Sequence, residues 1–110
     1  MIDIIANVHL LCTQEGGRQS FILSGYRPHI HFGNEVYADG AILFSDGEKL
    51  FPGDTCNVKI TFPKPELVKE YLKIGTTFDI HEGSHKIGEG EIVSLLFSTG
   101  HFSRPCKIST

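Results

Sequence analysis

An all-β sandwich or barrel is the fold class that this sequence predicts, and three observations predict it. Apolar and polar residues alternate over several short stretches, turn-forming pairs separate those stretches at close spacing, and a single segment favours a helix. In the first stretch Ile2, Ile4, Ala6, Val8, Leu10 and Cys12 fall on one side of an extended chain, with Asp3, Asn7 and His9 on the other. That is the period-two pattern of a half-buried strand. Val58, Ile60 and Phe62 repeat it against Lys59 and Thr61, and Phe78 and Ile80 repeat it against Thr77, Asp79 and His81. EGG at 15–17, DG at 39–40 and 46–47, PGD at 52–54 and EGS at 82–84 punctuate the strands. Glycine accepts the positive φ of a tight turn, while Asp and Ser bond back to nearby backbone. About six or seven short strands result.

The exception is segment 65–75, PELVKEYLKIG, where Pro65 is placed to open a helical turn and Gly75 to close it. Leu67, Tyr71 and Ile74 would then cover an open end of the barrel. Gly88 and Gly90 share one face of a strand, where missing side chains permit a sharp bend or a close backbone approach. Strand curvature is the preferred use over approach of a ligand.

At 110 residues the chain has the length of one domain, so a single domain over 1–110 with its own core is expected. An apolar content of 40% beside 21% charged residues is that of a soluble globular chain. No run approaches the roughly 18 apolar residues of a membrane span. The opening MIDIIANVHLLC lacks a basic start and carries Asp3 and His9, unlike a secretory signal, so a cytoplasmic location is expected. Cys12, Cys56 and Cys106 are odd in number and form no CxxC, which points to reduced thiols. A net charge of −3 exerts no global pull on nucleic acid, leaving only a local patch for any RNA contact.

No nucleophile elbow or cysteine-protease context surrounds any Ser or Cys, and no GxxxxGK[ST] phosphate cradle occurs. Glu89 and Glu91 share a strand face and read as a solvated stripe rather than an acid–base pair. A non-enzyme without cofactor or nucleotide is expected. His29 and His31 project from one face, and His81 and His85 flank a turn, but their spacing matches no zinc pattern and no metal is expected. Arg27 has two uses open to it: pairing with Glu15, Glu35 or Asp54 across a barrel end, or gripping a phosphate or an acidic partner. Arg18, after two glycines, belongs either to a solvated turn or to an anion-binding nest. Lys64, Lys69, Lys73, Lys86, Arg104 and Lys107 alternate with Glu66, Glu70, Glu82 and Glu89, which suits a soluble surface better than a phosphate-tracking groove. Tyr37 and Tyr71 suit packing across the barrel end better than base stacking.

EGGR at 15–18, GYRPHIHF at 25–32, GAI at 40–42, FPGD at 51–54, FDIHEG at 78–83 and IGEGEI at 87–92 follow one another in a specific order. In that order the chain resembles the C-terminal domain of elongation factor Tu, the third domain of that translation GTPase, over about residues 5–95. The resemblance implies a six-stranded antiparallel Greek-key barrel with binding roles. In the factor this barrel packs on the GTPase domain, contacts the exchange factor and holds part of the T-stem of aminoacyl-tRNA. Arg18, Tyr26, Arg27 and Pro28 match the family pattern, and Glu82 matches a T-stem glutamate. His29 stands where the factor commonly has Gln, Asp39 lies near a Thr contact, and His85, with Lys86 beside it, replaces an Arg. The resemblance therefore implies Arg18, Tyr26, Arg27, His29, Glu82, His85 and Lys86 as partner- or RNA-binding candidates. Segment 64–76 is longer than its counterpart, and 96–110 is expected as a C-terminal extension. The expected function is a non-catalytic, stand-alone relative of this barrel that contacts a translation component or a protein recognising elongation factor Tu. An immunity or antitoxin protein blocking a toxin, and tRNA binding through the T-stem surface, are the alternatives.

Overall fold

The computed structural model describes residues 1–33 and 35–96. Its strands, in chain order, are β1 (Ile2–Leu10), β2 (Ile22–Leu23), β3 (His29–His31), β4 (Tyr37–Asp39), β5 (Ala41–Leu43), β6 (Lys49–Leu50), β7 (Thr55–Phe62), β8 (Thr77–Glu82) and β9 (His85–Leu96). Seven of them form one antiparallel sheet in the order β4-β3-β8-β9-β1-β7-β5, and β2 pairs with β6 as a separate ribbon.

That order begins on β4 and ends on β5, which Gly40 alone separates in the chain. They are two halves of one bent strand, so the sheet returns on itself. Counted this way the wall has the six strands expected, and seven elements appear because the bend interrupts the regular pairing. The Gly25 amide donates to the Ile42 carbonyl at 2.8 Å and the Ile42 amide to the Tyr26 carbonyl at 2.9 Å, carrying the β3 side of the seam along the bend. Gly40 is required there, because a Cβ would lie 2.9 Å from Ile30 Cγ1 and from Ile60 Cγ2. The strands β3, bent β4–β5 and β7 are sequential neighbours and β1 lies beside β7, a Greek-key order.

Alternation fills the interior. Ile4, Ala6 and Val8 of β1 face Ile60, Val58 and Cys56 of β7, and all six are at most 2% exposed. Phe62 of β7, and Ile30, Ile42, Ile80, Ile87 and Ile92 from the other strands, join the same cluster. Each full burial of such a side chain contributes about 1.5–3 kcal/mol. Ile5 is buried as well, against the simple alternation, at a register shift between β1 and β9. Gly88 and Gly90 serve packing: at Gly90 a Cβ would meet the Phe78 ring at 2.5 Å, and at Gly88 it would meet the His9 carbonyl at 2.8 Å.

Segment 65–75 holds only a 3-10 turn at Lys69–Tyr71, which corrects the expected helix. The apolar positions are also exchanged. Val68 and Leu72 are buried, whereas Leu67 and Ile74 are 78% and 68% exposed. Tyr71 does cover the end as expected, stacking on Phe32, which also meets Phe62 and Phe78. Val68 and Leu72, which flank the turn, stand one position on from Leu67 and Tyr71, so the neighbouring face of the segment is the one turned inward. Cys12 is free, and Cys106 lies outside the described residues. The extension 96–110 lies outside the described residues except for Leu96.

Candidate binding surface

The β8–β9 hairpin carries two of the expected residues at its tip, Glu82 and His85, which are cross-strand partners. Both reach the loop that follows β1. The Glu82 carboxylate accepts from the Arg18 guanidinium, and its Oε2 also accepts from the Tyr26 hydroxyl at 2.8 Å. Arg18 lies over the Tyr26 ring, 5.2 Å from its centroid, and Nε donates to the Ser20 carbonyl at 3.3 Å. His85 Nε2 contacts the Gly16 carbonyl. Arg18 is thus not in a plain solvated turn. Its charge is met by Glu82, 64 positions away.

Burial, with the bond to the Glu82 carboxylate next in weight, pushes the Tyr26 phenol up to about 12. Losing the phenolic proton there would place two anions against each other in a partly dry site. In the same loop the Cys12 amide and thiol both donate to Glu15 Oε1 at 3.1 Å, lowering the Glu15 carboxyl below its ordinary range.

Arg27 is exposed, and no ion pair or hydrogen bond joins its guanidinium to another described residue. This corrects the pairing reading. Glu15 bonds within its own turn, and Asp54 accepts the Phe51 amide at 2.8 Å. Lys86 is held between Asp79 at 3.3 Å and Glu89 at 3.1 Å, and the bond to Glu89 is the main reason its ammonium is strengthened.

A second group occupies the outer face of β3, β4 and β8. His29 Nδ1 lies 2.9 Å from Asp39 Oδ1. His31 stacks between Tyr37, 4.9 Å away, and His81, 4.0 Å away, centroid to centroid. His29 meets both His31 and Tyr37 edge-on. His81 and His85, which flank the hairpin turn, diverge to His31 and to Gly16. The shared face of His29 and His31 is visible in the sequence as their spacing of two. Their meeting with His81 and Tyr37 was missed, because it depends on cross-strand register. Among the described residues no group of three or more His, Cys, Asp or Glu is arranged to hold a metal ion. An open groove of about 380 Å³ runs outside β1, β9 and β8, lined by Asn7, His9, Thr77, Asp79, Glu89 and Glu91 above Gly90.

The molecule is thus a small closed antiparallel barrel with an apolar interior, whose charged and ring-bearing side chains stand on its outside. The family model described as elongation factor Tu C-terminal domain matches residues 1–96, and the chain belongs to that family. The match begins at the first strand and ends with the last, so it takes in the whole described wall. It extends the expected span of 5–95 slightly at both ends. No helix among the described residues is long and apolar enough to cross a membrane.

Proposed function

We propose that this chain is a non-catalytic binding module of the cytoplasm, linked to translation. It docks a translation component, or a protein that recognises elongation factor Tu, through the outside of its barrel. The observation that carries this reading is the family match over residues 1–96, on a wall whose inside is filled by its own side chains. The state of the cations favours protein over RNA. Arg18 is met by Glu82, and Lys86 by Asp79 and Glu89, so charges of both signs alternate where a phosphate-tracking groove needs one sign to prevail. Arg27, exposed and unpaired among the described residues, is the side chain best placed to meet a partner's carboxylate.

Affinity capture from native lysate on the immobilised chain, run beside Arg27→Glu, tests this. A translation protein enriched on the parent chain and depleted roughly tenfold or more on the variant is expected, the usual weight of an arginine at the centre of an interface. A captured toxin would identify the immunity form of the same docking. Recovery no different from bare resin would sink the reading. Tight tRNA binding with a log-log salt slope of about −0.7 to −0.9 per neutralised phosphate would replace it with the RNA alternative.

A further inference from the structure

We infer that the imidazole row on the outer face of β3 and β8 is a proton-operated switch, which changes the charge and the packing of that face as the medium is acidified. The inference rests on the docking reading for its use, because the row stands on the outside through which docking is proposed.

The geometry is a ladder of rings in face contact. Tyr37, His31 and His81 stand in succession at 4.9 and 4.0 Å, with His29 against the edges of His31 and Tyr37. Neutral imidazoles stack in this way through apolar and dispersion contact. Two imidazolium rings at 4.0 Å repel, so proton uptake works against the stack. Counter-ions decide which ring resists the proton. His29 has Asp39 at 2.9 Å. Asp79, the cross-strand partner of His31, is already engaged by Lys86, which also holds Glu89. No carboxylate lies within ion-pair distance of His31 or His81 among the described residues. The groups facing His31 are therefore His29 on its own strand, Tyr37 and Asp39 on β4, and Asp79 and His81 on β8, with Lys86 and Glu89 behind them on β9. Consistent with that environment, burial first, then His81 and His29, hold the His31 imidazole below its ordinary value, against a smaller opposing pull from Asp79.

Imidazole titration of the full chain by nuclear magnetic resonance, between pH 7.5 and pH 5, decides the matter (values chosen around the ordinary histidine range of about 5–8). The His31 imidazole should titrate as part of the stack. Resonances of Tyr37 and of the β3, β4 and β8 amides should move with the same midpoint, while those of β7 on the far wall stay still. In His81→Gln the His31 midpoint should rise, since a like charge is removed. A His31 titration that leaves Tyr37 and the neighbouring amides unmoved would overturn the inference in the unaltered chain, with no appeal to a variant. A His31 midpoint unchanged in a folded His81→Gln would overturn it equally. These readouts need no partner, so they stand or fall apart from the capture experiment that tests docking.

Discussion

Glu82 accepts from both Arg18 and Tyr26, and so ties residues 56 and 64 positions away to the tip of the β8–β9 hairpin. Its side chain is 47% exposed and that of Arg18 21%, so solvent screens the pair and its worth is modest. Glu82→Gln should cost about 1 kcal/mol, a melting-temperature loss of roughly 4–8 °C. The same change should bring the Tyr26 ionisation down from about 12, because the neighbouring anion has gone while burial remains. Thermal denaturation and an ultraviolet tyrosinate titration measure the two effects. An unmoved phenol would mean that the carboxylate does not govern it. At this scale the sequence carried the identities of Arg18, Tyr26 and Glu82 through the family pattern, but not their mutual contact. Arg27 shows the converse. Its spacing left both pairing and partner contact open, and the fold gives its guanidinium no ion pair among the described residues.

The 65–75 segment shows how an element's local signal can be right in place and wrong in detail. Proline and glycine do bound the segment, and it does close an end of the barrel. A single 3-10 turn nevertheless replaces the helix, because burying Val68 and Leu72 outweighs the weak intrinsic stability of so short a helix. The contrast is measurable. Leu72→Ala should destabilise by about 2 kcal/mol or slightly more, whereas Leu67→Ala should stay within about 0.5 kcal/mol. Chemical denaturation of the two variants gives the comparison, and equal losses would show that the segment packs differently. The strands were far more readable than this turn, since period two needs only neighbours in the chain while the inward pair of a short turn is chosen by the cavity it must fill.

Two titrating groups bracket the pH range over which the whole molecule should be most stable. The His31 value is lowered in the folded state from an ordinary 6.5, so the unfolded chain takes up its proton first. Its contribution is complete above about pH 6.5 and is lost as pH falls through the lowered folded value. The Tyr26 value is raised from 10 to about 12, so its contribution is complete below pH 10 and is lost as pH rises through about 12. Melting temperatures measured across this range should decline on both flanks. His31→Gln should flatten the acid flank and Tyr26→Phe the alkaline one. If either flank keeps its slope in the corresponding variant, other groups govern it.

The wall of this barrel was written in the chain: a strand's dry side, the glycine corners and the order of the turns are set within a few consecutive residues, where backbone sterics and burial act locally. What faces what on the outside was settled only by folding. His31 meets His81, Arg18 meets Glu82 and Arg27 has no ion pair among the described residues because register and curvature bring together, or hold apart, side chains that lie dozens of positions from one another. No local rule spans that distance, and the surface chemistry proposed here depends on it.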